Sequence, residues 1–167
     1  MDSLGQLKSV FARNCIVRRI GKTAAGGFLC ANHRLGDATC RYRYGLFTRR
    51  STGAAEGKGF PEDTLVAVAT FSNGRTMRDG SRSYEWIRYA SLPGTRVIGG
   101  MGKLLDAFVA DIRPDDVMSY ADRRWSDGAA YRRLGFTLEA VVEKAGFSNL
   151  KYRKKFNAPT AEYTQDA

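Results

Sequence analysis

The stretch 88–136 constrains the fold of this chain more than any other. It opens as a strand, breaks at Pro93-Gly94 and enters a turn built on Gly99, Gly100 and Gly102. The apolar residues Met101, Leu104, Leu105, Phe108, Val109 and Ile112 then recur at offsets 0, 3, 4, 7, 8 and 11, one face of a helix over 99–112. Pro114 ends that helix. A strand over 116–121 follows, then a second helix from Ser126, its expected N-cap, to about Leu134, stopped by Gly135. A glycine turn at a helix start leaves first-turn N–H groups without helical partners, pointing at whatever lies above them. That arrangement binds anions, phosphate above all.

Around this segment the other elements fall into place. The span 1–13 suggests a short helical lead-in. A first strand is expected over 15–20, and a helix over 22–32 weakened by Gly26-Gly27. The span 42–48 alternates as a strand, 49–63 is an exposed loop, and 65–71 is a continuously apolar strand covered on both faces. A polar hairpin connection over 72–81 leads into a strand over 84–90. Strands over 136–142 and 150–156 close the order. Three strands in succession before the glycine helix imply an antiparallel meander, and the two later strand–helix units imply parallel neighbours. The expected fold class is therefore α+β, a mixed, mostly antiparallel central sheet flanked by helices on both faces. One domain is expected over 1–158, with a disordered tail over 159–167.

Composition narrows the function classes. With 167 residues, 43% hydrophobic and 26% charged, the chain can bury a core. No apolar run reaches the roughly 18–20 residues of a membrane span, and the N-terminus lacks the apolar core of a signal peptide, so a cytoplasmic protein is expected. Cys15, Cys30 and Cys40 form no CxxC pair and no cluster with His33, the single histidine, so no metal site is expected. A net charge of +10 favours anionic partners such as nucleic acid or phosphorylated cofactors.

The two halves of the segment resemble the motifs of the GNAT superfamily of acyl-CoA-dependent acyltransferases. The first motif is a basic residue or Gln, two variable residues, Gly, one variable residue, then Gly or Ala, opening a helix after a strand, often with a proline three residues earlier. Pro93, Arg96, Gly99 and Met101 occupy its positions, followed by Lys103-Leu104-Leu105. Met101 departs from the small residue preferred there, with Gly100 and Gly102 on either side. Tyr131, Gly135 and Phe136 match the second motif, Tyr-x-x-x-Gly-Phe, while Arg124 stands where the family often has Asn. The resemblance covers 64–142 well. Segments such as LVAVATFSNGR and SYADRRWSDGAAYRRLGF also resemble a phage-associated group of GNAT-like domains, distantly related to the Mom protein that modifies adenine in DNA.

The resemblance implies acetyl-CoA or a related acyl-CoA as donor. The backbone of Val97, Ile98, Gly99, Gly100, Met101 and Gly102 would meet its pyrophosphate, with Arg96 and Lys103 supplying charge. An N–H on the preceding strand, at Ala90, Ser91 or Leu92, would polarise the thioester carbonyl, and Tyr131 would protonate the departing sulfur. Glu85, Asp122 and His33 are the candidates for the base that frees the acceptor amine. Glu85 fits an ion-pair role equally well, and a histidine beside glycines fits a structural one. Arg123, Arg124 and Trp125, joined by Arg132 and Arg133, form one basic and aromatic cluster; Lys151, Arg153 and Lys154, with Tyr152 and Lys155, form a second. Such clusters suit phosphate contact and base stacking, or a solvated face and a guarded sheet edge. Two functions follow: an N-acyltransferase acting on an amine, including an amino group of a DNA base, or a non-catalytic DNA-binding module on a degenerate GNAT scaffold. The state is a monomer or a homodimer.

Overall fold

The structure, a computed structural model, describes residues 8–50 and 59–156. The expected tail over 159–167 and much of the expected loop over 49–63 lie outside them. The strands are β1 (Lys8–Phe11), β2 (Cys15–Arg19), β3 (Tyr42–Thr48), β4 (Leu65–Phe71), β5 (Arg75–Thr76), β6 (Arg82–Ser91), β7 (Thr95–Ile98), β8 (Asp116–Asp122), β9 (Thr137–Lys144) and β10 (Phe147–Lys155). The helices are α1 (Lys22–Asn32), α2 (Gly100–Ile112) and α3 (Ala129–Arg133). The fold is α+β, with a mixed, mostly antiparallel eight-stranded sheet and a separate two-stranded ribbon. The chain divides into two compact units, Met1–Asn73 with Trp86–Arg113, and Gly74–Glu85 with Pro114–Ala167.

In the first unit β2, β3, β4 and the second half of β6 are successive antiparallel neighbours, the expected meander. β4 is buried from Val66 to Phe71 because both its faces are covered. On one face Val68 and Ala90 meet Ala25 and Leu29 of α1. On the other, Phe71 stacks on Phe108 of α2 with ring centroids 3.9 Å apart, and Tyr44 meets both rings edge-on. Of the six residues whose spacing predicted α2, Leu104, Leu105 and Phe108 are fully buried, and Met101, Val109 and Ile112 are half-buried. Each such side chain contributes about 1.5–3 kcal/mol on burial, which holds α2 despite three glycines in its first turn and cap.

The lead-in over 1–13 is not a helix where it is described. Residues Lys8–Phe11 are strand β1, followed by a single 3₁₀ turn over Ala12–Asn14. β1 pairs in parallel with β7, Lys8 opposite Thr95 and Phe11 opposite Ile98. Four-residue strands this far apart in sequence carry no local periodicity, so neither was legible.

In the second unit the first half of β6 runs parallel to β8 over Ser83–Glu85, as one strand–helix unit predicted. The second prediction fails. β9 is not a parallel neighbour of β8: β10 lies between them, antiparallel to both. The turn at Ala145-Gly146 folds β9 and β10 into a hairpin, and that hairpin inserts β10 beside β8. α3 is also shorter than expected. Its N-cap is Gly128 in the left-handed region, not Ser126. Ser126 Oγ and Asp127 Oδ1 instead accept the N–H groups of Gly128 and Ala129, 3.0 and 2.9 Å away. These side chains build a turn where one more helical turn was predicted.

Candidate functional site

In the first unit the strand–turn–helix motif is built as its glycines demand. Gly99 is the N-cap of α2 with φ 77°, a conformation costly for any residue with a Cβ. Gly100 is buried, and a Cβ there would lie 2.6 Å from Val97 Cγ1 and 3.0 Å from the Tyr89 hydroxyl. The first helical bond runs from the Lys103 N–H to the Gly99 carbonyl, 3.0 Å. The N–H groups ahead of it have no intrahelical acceptor. Among the described residues no side chain caps this end. Tyr89, on β6, lies directly beneath the turn; burial raises its phenol to about 12, so it stays neutral. Met101 and Gly102 are half-buried, and Arg96 and Ile98 are exposed on β7.

Lys103, a predicted source of cofactor charge, is held in the protein. Its Nζ donates to the carbonyls of Ala12 at 2.9 Å and Cys15 at 2.6 Å, tying the 3₁₀ turn to α2. On β6, the Leu92 N–H is spent on the Val66 carbonyl at 3.0 Å. Alternation along the strand turns the Ser91 N–H to the opposite edge. Over Ile87–Ser91 that edge has no strand partner among the described residues. His33 follows α1, and its Nδ1 accepts the Leu35 N–H at 3.0 Å. Burial, then the Arg88 and Arg34 charges, lower its pKa, so the imidazole is neutral near neutral pH.

In the second unit Tyr131 lies on α3 with its ring stacked on Tyr152 and edge-on to Phe136. Ser119 Oγ, buried on β8, donates to the Tyr131 oxygen at 2.9 Å. Burial raises the Tyr131 pKa; the Ser119 hydrogen bond opposes this and the charge of Glu85 adds to it. Ser119 was missed in the sequence reading, although a serine at an inward position of an apolar strand was the available signal. Asp122 receives Arg124 through Nε and Nη2, the latter at 2.7 Å, and this pair closes the turn after β8.

The two basic clusters differ. Arg123 is exposed and Trp125 is 59% exposed, lining a groove of about 510 Å³ with Ser126, Asp127 and Leu150. In the β10 cluster Lys155 is exposed, and Lys151, Arg153 and Lys154 are half-buried with partners inside the protein. Arg153 is paired with Asp116 and with Glu139 at 2.9 Å, and only 13% of its side chain is exposed. Lys151 meets Glu139 at 3.2 Å, and Lys154 donates to the Leu134 carbonyl at 2.7 Å. These cations serve the sheet rather than presenting an open phosphate-binding row.

No family model and no curated protein matches the sequence. Solved structures do match. The NatC complex bound to Gag peptide and CoA aligns with a TM-score of 0.61 at 12% identity, over 86% of this chain and 99% of that one. Naa50 of Arabidopsis thaliana, in complex with the bisubstrate analogue CoA-Ac-MVNAL, gives 0.60 at 10% identity, over 86% and 99%. The ribosomal-protein-S18-alanine N-acetyltransferase of Escherichia coli gives 0.58 at 13% identity, over 89% and 97%. The chain has the fold of the GNAT acetyltransferases. No helix among the described residues is long and apolar enough to cross a membrane.

Proposed function

We propose that this protein is an acyl-CoA-dependent N-acyltransferase of the GNAT type, moving an acetyl or similar acyl group to an amine. The observation that carries this reading is the entrance to α2. A left-handed Gly99 and a Gly100 with no room for a Cβ shape a turn of outward N–H groups at the start of a 13-residue helix. The fold, shared with N-acetyltransferases solved with CoA or a CoA analogue, supports it.

Bound acetyl-CoA supplies the acyl group already activated as a thioester. The residues of this chain do the rest. The N–H groups of Gly100 to Gly102 and the Arg96 guanidinium would hold the pyrophosphate. The Ser91 N–H would polarise the acyl carbonyl. Glu85 would take the proton that the acceptor nitrogen loses as it bonds to the acyl carbon. Tyr131 would give its phenolic proton to the departing thiolate and regain one from solvent. His33, neutral, and Asp122, tied to Arg124, are the weaker candidates for the base.

The net charge and the exposed Arg123 and Trp125 favour an acceptor carried on nucleic acid, with the amino group of a DNA base as the finer reading. A thermal-shift titration tests the cofactor site. Acetyl-CoA and desulfo-CoA at 100 times Kd should each stabilise the fold by about 2.7 kcal/mol, with ATP far weaker. Gly99→Glu should remove the shift. No shift with millimolar acetyl-CoA, together with salt-sensitive DNA binding, would leave a DNA-binding module without catalysis.

A further inference from the structure

The β1–β7 ribbon exposes a face on which the roles above use only Arg96. Its parallel register sets Ser9 opposite Arg96 and Phe11 opposite Ile98. These four residues are exposed, whereas Val10 is buried beneath. Phe11 and Ile98 are 41% and 40% exposed, a large apolar pair side by side in solvent. The Arg13 guanidinium lies over the Phe11 ring, 4.7 Å from its centroid. The face is continuous with the glycine turn. Ile98 runs into Gly99, and a Cβ at Gly99 would stand 3.7 Å from the Cβ of Ala12, the residue after Phe11. The Lys103 ammonium fastens the same 3₁₀ turn to the first turn of α2.

An exposed aromatic and aliphatic pair flanked by two guanidinium groups, beside a turn suited to a pyrophosphate, matches one kind of ligand. That ligand has a flat heteroaromatic ring and a further phosphate, both attached on the far side of the pyrophosphate. We propose that the outer face of the β1–β7 ribbon binds the 3′-phosphoadenosine end of coenzyme A. The adenine lies on Phe11 and Ile98, and the 3′-phosphate pairs with Arg13. This deepens the function proposed above and rests on the glycine turn holding the pyrophosphate. It gives β1 a purpose beyond packing, since the strand fixes Phe11 and Arg13 at the lip of the turn.

The test is calorimetric titration of the full chain with CoA, dephospho-CoA and 4′-phosphopantetheine, repeated for Arg13→Gln and Phe11→Ser. The wild type should bind CoA about tenfold more tightly than dephospho-CoA, the worth of one charge-assisted contact. Arg13→Gln should bring that ratio close to one while leaving dephospho-CoA affinity unchanged. Phe11→Ser should weaken CoA and dephospho-CoA alike, by about tenfold, and leave 4′-phosphopantetheine unaffected, because only the ring-bearing ligands reach the platform. An Arg13→Gln protein that keeps the wild-type ratio overturns the 3′-phosphate assignment. A Phe11→Ser loss that falls equally on 4′-phosphopantetheine overturns the adenine platform. If the wild type binds none of the three ligands, the pyrophosphate reading of the glycine turn falls as well. Binding of CoA and dephospho-CoA, which both carry the pyrophosphate, with unmoved variant ratios would remove only the ribbon.

Discussion

Gly128→Ala is expected to destabilise the protein by about 2–5 kcal/mol, the sum of left-handed strain and steric overlap. Gly128 has φ 77° and caps α3. A methyl group there would meet the Tyr152 hydroxyl at 2.2 Å and its ring carbons at 2.4 Å. Tyr152 has nowhere to retreat. It is 1% exposed, its ring stacks on Tyr131, and its hydroxyl accepts from Arg132 Nη1 at 3.0 Å. Gly146→Ala is the control. That glycine has φ 88°, but a Cβ added there would meet nothing within 4 Å, so only the backbone strain remains, about 1–2 kcal/mol. Denaturant melts of the two variants separate the effects. Equal losses would show that Tyr152 is not packed against Gly128 as described.

Tyr131→Phe is expected to lower kcat by about 10²–10⁴-fold, the usual worth of a positioned general acid. Affinity for acetyl-CoA should be nearly unchanged. The substitution keeps the ring contacts to Phe136 and Tyr152, so folding should survive, at a cost of about 1 kcal/mol for the acceptor Ser119 loses. The pH profile carries the sign. Burial raises the Tyr131 pKa, with the Glu85 charge adding and the Ser119 hydrogen bond opposing, so the phenol keeps its proton across the neutral range. Any fall in rate from its ionisation therefore begins above tyrosine's ordinary value of about 10 and is absent from Tyr131→Phe. A variant that turns over at the wild-type rate would remove Tyr131 from proton transfer.

The elements around the glycine helix were legible because their patterns are local. The helix over 22–32 appears with those bounds, and the apolar stripe of α2 packs as its spacing required. What pairing decides over long separations was not legible. β1 and β7 each have four residues, and neither alternates clearly enough to announce a strand until the other is beside it. The insertion of β10 between β8 and β9 depends on a two-residue turn, while the strand–helix order suggested a crossover. At the candidate site, the backbone features were readable from glycine positions, since each needs a conformation or a closeness that side chains forbid. Side-chain commitments were not. Lys103, Arg124, Arg153 and Lys154 look alike as cations in sequence, yet the structure gives each an internal partner. Charge counting overstates the surface available to phosphate for that reason.

The most direct test of acyl transfer is to follow label from acetyl-CoA carrying a labelled acetyl group. The acceptors would be small primary amines, peptide N-termini, and single- and double-stranded DNA. Label should appear on one acceptor class in step with release of free CoA thiol, one for one, and Tyr131→Phe should slow both together. Saturable binding of acetyl-CoA with no labelled acceptor, and thiol release no faster than spontaneous hydrolysis, would contradict the proposed transferase activity.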